Sequence, residues 1–182
     1  MWWQTLNGSE IAQGDVIRGL IIPSWPDTIE INSDEPIEAD VDEVDVIVVS
    51  QSCDLRKNDC QFAAVCPITT VEEYRQTAPP ELRNIKAWNG VRSGKWESLH
   101  LLEGLNEGCP QGQRMVVDFR VVLSIPIGYL KKHAQEMGDR QRLLPPFLEH
   151  FSQAFARFFM RVGLPSGIPE FKAEPAVSAP SG

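Results

Sequence analysis

The stretch VIVVSQSCDL, residues 46–55, runs a β-branched segment straight into Ser50-Gln51-Ser52-Cys53-Asp54. A catalytic Cys53 would need a thiolate, which a nearby cation or helix N-terminus stabilises. It would also need a general base, for which His100, His133 and His150 are the available imidazoles. The adjoining Asp54 carboxylate opposes this by raising the thiol pKa. The structural alternative is that Ser50, Ser52 and Asp54 close a turn with side-chain hydrogen bonds and leave Cys53 as a small residue at a strand end. A metal is a third reading. Cys53, Cys60 and Cys66 are separated by six and five residues, and Cys109 follows much later. No C-x-x-C pair is present, so neither a metal nor a cofactor is expected. The alternative metal site would draw on Cys53, Cys60 and either Cys109 or His100.

A second pair that could do chemistry lies in RMVVDFRVVLS, residues 114–124. Read as one strand, it puts Met115, Val117, Phe119, Val121 and Leu123 on one face, and Asp118 and Arg120 together on the other. Asp118 and Arg120 can then pair with each other or hold a ligand. His100, in ESLHLLE, shares a face with Trp96, Ser98 and Leu102, which predicts a partly buried, hydrogen-bonded ring. Residues 74–142 hold 11 bases and 7 acids, with Lys131, Lys132, Arg140 and Arg142 near one short helix. Binding to a phosphate backbone asks for a denser patch, so nucleic acid is not the favoured partner.

The elements that must position these residues follow from pattern. The 182-residue chain is 42% hydrophobic and 23% charged, enough for one full core. No apolar run approaches the roughly 20 residues of a membrane span. The start MWWQTLNGSE lacks the basic and apolar regions of a signal peptide, so a cytoplasmic location with free thiols is expected. Charge is uneven. Residues 1–54 carry 12 acids and one base, Arg18, and the acids peak over residues 27–45, which reads as a solvated loop or a docking site for a basic partner.

Strands are predicted over residues 16–23, 44–51, 61–68, 95–103 and 114–124. The strand over residues 44–51 has no alternation and should be buried on both faces. TTVEEYRQ has a capped first turn, and PPELRNIKAW reads as a second helix. IPIGYLKKHAQEMG is a short helix ending at Gly138. In LLPPFLEHFSQAFARFFMRVGLP, Phe147, Phe151, Phe155, Phe158 and Val162 form an apolar stripe. Glu149, Gln153, Arg157 and Arg161 mark its wet side, and Gly163-Leu164-Pro165 closes it. One domain over residues 1–165 and a flexible tail over 166–182 are expected.

Three short motifs carry a family resemblance. Gly14-Asp15-Val16 opens the first strand, Val44-Asp45-Val46-Ile47-Val48-Val49-Ser50 forms the second, and Pro67-Ile68-Thr69-Thr70 ends the third. The order resembles the MazF/PemK family of toxins. This implies an α+β fold, an SH3-like β-barrel with a helical insert and a C-terminal amphipathic helix. It also implies metal-independent endoribonuclease chemistry in which Thr69 takes part. The family's arginine at the start of the second strand is replaced here by Val44 beside Asp45, and a carboxylate there repels phosphate. The chain also resembles a group of bacterial proteins through residues 50–55, 117–120 and 154–165, a likeness that implies descent and brings no activity with it. The expected function is a bacterial binding or regulatory module on a toxin-type barrel, in growth control or defence. It would engage a protein partner or small ligand, and no membrane, through Ser50, Gln51, Ser52, Cys53, Asp54, Thr69, Asp118 and Arg120. An endoribonuclease with a rearranged site, using Thr69 or Cys53, is the alternative.

Overall fold

The computed structural model describes residues 1–24, 40–105 and 113–160. The unalternating run Val46-Ile47-Val48 is fully buried, as its lack of polar positions requires, and it lies on an interior strand of the sheet. The described strands are β1 (Trp3–Leu6), β2 (Val16–Ser24), β3 (Asp40–Val48), β4 (Phe62–Thr70), β5 (Leu99–Glu103), β6 (Arg114–Asp118), β7 (Leu123–Pro126) and β8 (Arg140–Leu143). The helices are α1 (Ser52–Leu55), α2 (Val71–Thr77), α3 (Pro80–Arg83), α4 (Trp88–Arg92), α5 (Ile127–Met137) and α6 (Phe147–Phe159), with a 3-10 turn at Ile85–Ala87.

The fold is mixed α+β, and every strand pairing is antiparallel. The main sheet runs β2-β3-β4-β6-β5, with β7 also on β4. β1 and β8 form a ribbon that joins the main sheet through the bridge between Asp15 and Arg142. Every strand except β7 contributes to one core cluster, which includes Trp3, Val16, Ile47, Ile68, Leu102, Val117 and Leu143. The sheet therefore wraps around its core, but it does not close into the barrel the motifs imply. Between β1 and β5 the described residues make no strand pairing, and the Trp3 indole N–H donates to the Glu103 carbonyl at 3.2 Å instead. The aromatic face of α6 covers this core, with Phe151 fully buried and Phe147, Phe155 and Phe158 packed around it. On the opposite face of β2, β3, β4 and β7, α5 buries Leu130 and Ala134. Helices α2 to α4 build a third cluster on Leu99 and Val116, holding Leu82, Trp88 and Val91.

Several expectations are corrected. Residues 114–124 are not one strand. β6 pairs Ile68–Thr70 of β4, the chain leaves the sheet at 119–122, and β7 returns to pair Phe62–Val65 of the same strand. The interruption has a local cause. The Asp118 carboxylate accepts the Arg120 backbone N–H at 3.0 Å, an Asx-type turn that competes with the ladder. Val121 is consequently exposed rather than packed. The acidic run is not wholly loop either, because residues 40–45 belong to β3 and pair with β2, while residues 25–39 lie outside the described residues. The second predicted helix is three short pieces. It breaks at Asn84, whose side chain caps the 3-10 turn by accepting the Lys86 N–H. Residues 95–98 precede β5 and are not strand. Val162, the Gly163–Pro165 stop and the 166–182 tail fall outside the described residues.

Gly14-Asp15 proves to be the knot of the fold. Gly14 has φ +83° and donates to Val48 O at 2.9 Å, and its carbonyl accepts the Leu143 N–H at 3.0 Å. A Cβ there would meet the Leu143 Cβ at 3.0 Å. Positive φ and this close approach both call for glycine.

Candidate functional site

Two of the turn serines are committed to backbone. Ser50 Oγ accepts the Ala64 N–H at 2.8 Å, anchoring β4. Ser52 Oγ accepts the Gln13 N–H at 3.1 Å, and the Gln13 amide donates to Val49 O at 3.0 Å, so the turn is tied to the chain before β2. Cys53 is exposed and its thiol lies 3.6 Å from Gln51 Oε1. Asp54 pairs with Lys57 at 2.6 Å, an exposed contact worth little to stability. Cys66 is fully buried, and its thiol is pushed up to about 12 by burial, with the Asp118 charge adding to it. Cys109 lies outside the described residues. Among the described residues no three His, Cys, Asp or Glu side chains come together as a metal site would need.

Asp118 and Arg120 pair with each other. The guanidinium donates to the carboxylate through Nε at 2.9 Å and Nη2 at 2.6 Å. Tyr74, projecting from α2, donates its hydroxyl to Asp118 Oδ2 at 3.0 Å and accepts from Arg120 Nη2 at 2.7 Å. Burial pushes the Asp118 carboxyl up, but the hydrogen bonds from Arg120 and Tyr74 outweigh it and hold it below the ordinary carboxylate range. Burial, reinforced by the Asp118 charge, lifts Tyr74 to about 12. This triad locks the excursion at 119–122 against α2. Among the described residues no hydrogen bond or ion pair connects it with the 50–54 turn.

Thr69 opens onto a cleft of about 380 Å³ lined by Arg18, Glu43, Asp45, Thr69, Thr70 and Glu73, with Leu105 and Met115 at its apolar side. The Thr69 hydroxyl donates to Glu73 Oε2 at 2.8 Å. Glu73 also accepts from the Thr70 hydroxyl at 2.7 Å and the Thr70 N–H at 3.1 Å, completing the capping box that starts α2. These bonds hold its carboxyl below the usual range, the Thr70 hydroxyl bond contributing most. Asp45 accepts the Gly19 N–H at 2.9 Å, where the β2–β3 register shifts between Ile17 and Leu20. Thr70-x-x-Glu73 was legible as a helix cap, but nothing in the sequence joined Glu73 to the Thr69 hydroxyl. α2 thus serves both places, through Glu73 at the cleft and Tyr74 at the Asp118–Arg120 pair.

Sequence reasoning also missed the buried cluster of Asp15, Arg140 and Arg142, because residues 125 or more apart share no local pattern. Asp15 Oδ2 accepts from Arg140 Nε at 3.0 Å, Arg142 Nη2 at 2.9 Å and the Ala12 N–H at 3.1 Å. The second carboxylate oxygen accepts from Arg142 Nε, and Arg140 donates to the Gly8 and Glu10 carbonyls.

His100 is largely buried but makes no hydrogen bond through its ring among the described residues, unlike the expectation. It stacks on Phe119 at 6.0 Å and meets Phe151 edge-on at 5.6 Å. Burial, assisted by His150, pushes its pKa from 6.5 down to about 4. The fold therefore holds the neutral ring, while the unfolded chain protonates it on acidification. Stability present above pH 6.5 should be lost as pH falls toward 4. Urea denaturation at pH 7 and pH 4.5 should show this loss, and His100→Phe should shrink it; an unchanged pH slope in that variant would assign the loss elsewhere.

No family model, curated protein or solved structure matches this chain. Among the described residues no helix is long and apolar enough to cross a membrane.

Proposed function

We propose that this protein is a binding module that takes a basic segment of a protein partner at the Thr69 cleft and the adjoining β2–β3 arm, and that it does not cleave RNA. One observation carries the reading: the Thr69 hydroxyl is bonded to the Glu73 carboxylate, in a cleft whose described residues set three carboxylates against one guanidinium. Phosphoryl chemistry needs donors and cations where negative charge develops. Here Glu43, Asp45 and Glu73 repel that charge and favour lysine or arginine side chains. Exposed Asp40 and Asp42 on the arm extend the acidic surface, and Ile21 and Val41, also exposed, supply apolar contact. The wrapped sheet with α6 laid over its core supports an open SH3-like barrel of the MazF/PemK type. A cytoplasmic role in growth control or defence follows from that resemblance.

A second reading, a metal-independent endoribonuclease with a rearranged site, is favoured by Arg18, which lines the same cleft as Thr69. Incubating RNA with the purified chain in a chelator separates the two. The expected result is no cleavage. Cleavage abolished by Thr69→Ala or Arg18→Ala would overturn the binding reading. In parallel, Asp42→Lys with Glu43→Lys should abolish capture of a basic partner from cells that retain it on the wild type.

A further inference from the structure

A cleft of about 390 Å³ that shares no lining residue with the Thr69 cleft opens between α4, β5 and α6. Its volume falls within the range of small-molecule sites, roughly 300–1,000 Å³. Trp2 and Trp96 supply aromatic walls, His100 lines it from β5, and Arg92 and Arg157 stand among its lining residues. Trp2 is fixed by stacking on Phe147, with ring centroids 3.7 Å apart and planes 11° from parallel. His100 is fixed between Phe119 and Phe151 and has no hydrogen-bond partner among the described residues. Neither Arg92 nor Arg157 makes an ion pair or side-chain hydrogen bond among the described residues, and both are exposed. Among the described residues of the lining the one carboxylate is Glu97, and it is already engaged. A smaller cavity of about 170 Å³ shares Trp2, Arg92 and Leu101 and adds Leu102 and the cross-strand neighbours Glu103 and Arg114, of opposite charge.

We propose that this cleft binds a small planar aromatic anion, with the ring against Trp2 and Trp96, the anionic group on Arg92 and Arg157, and a polar ring atom on His100. The argument is chemical. Tryptophan faces attract flat rings. Guanidinium groups without carboxylate partners are suited to carboxylate and phosphate oxygens. A rigid, unpartnered imidazole can donate or accept one hydrogen bond without reorganisation. The site is separate from the Thr69 cleft and does not depend on what that cleft does.

Isothermal titration of the full chain with four probes tests it. Adenosine 5′-monophosphate supplies a ring with phosphate, indole-3-acetate a ring with carboxylate, adenosine the ring alone, and inorganic phosphate the charge alone. At least one of the first two should bind at one per chain, and at least about tenfold more tightly than adenosine or phosphate. Which of them binds identifies the anionic group. The double variant Arg92→Ser, Arg157→Ser alters only exposed side chains. It should weaken the anionic probe at least about tenfold and leave any binding of adenosine unchanged, whereas Trp96→Ala should weaken both. Absence of binding by both anionic probes at millimolar concentration would overturn the assignment. So would binding that the double arginine variant leaves intact.

Discussion

Asp15→Ala should lower the unfolding free energy by about 3–5 kcal/mol, the cost of breaking a buried ion pair from one side. The Asp15 side chain is 0% exposed and that of Arg140 1%. Removing the carboxylate leaves two guanidinium groups without their anion, and Arg140 has no route to water. Its bonds to the Gly8 and Glu10 carbonyls remain, but these are neutral acceptors that cannot balance the charge. The Ala12 N–H also loses its acceptor. The damage should extend beyond electrostatics, because this cluster pins the chain before β2 to β8. Urea denaturation followed by tryptophan fluorescence would measure it, Trp2 and Trp3 reporting the β1–β8 ribbon directly. A loss below about 1 kcal/mol would mean that water enters and replaces the carboxylate.

Phe151→Ala should cost a similar amount, about 3–5 kcal/mol, by a different route. Phe151 is 0% exposed and joins α6 to the core cluster that nearly every strand supplies. Its ring meets Phe119 at 5.7 Å and His100 at 5.6 Å. Alanine would leave a cavity beneath both. The flanking residues Phe147, Phe155 and Phe158 are only partly buried and belong to the same rigid helix, so they are poorly placed to fill it. Thermal unfolding would show the loss. An alanine variant close to wild type would mean that α6 is not held through this position.

The fold was legible where a pattern is local. The unalternating run of β3, the capping box of α2, the Gly138 stop of α5 and the phenylalanine stripe of α6 each follow from neighbouring residues. What stayed hidden depends on partners distant in sequence. β1 and β8 are four residues each, too short to show a period, and each has its partner at the other end of the chain. The break in 114–124 was obscured because Val121-Val122 continues the β pattern, while the Asp118 turn that interrupts it is decided by one side chain and by Tyr74 from α2. The candidate sites divide in the same way. That Asp118 and Arg120 could pair was legible, but they do so across a turn and not as same-face neighbours on one strand. The acidic character of the Thr69 cleft was legible only in part: the resemblance put the Asp45 carboxylate there, but Glu43 reaches it through sheet register and Glu73 through the helix it caps.

The ribbon of β1 and β8 has a consequence for synthesis. During translation Trp3 is made long before residues 140–143, the strand that fixes its register, and the helix that covers it follows later still. Until then the nascent chain carries two adjacent tryptophans without their native cover, and a holding chaperone that favours aromatic segments would find them there.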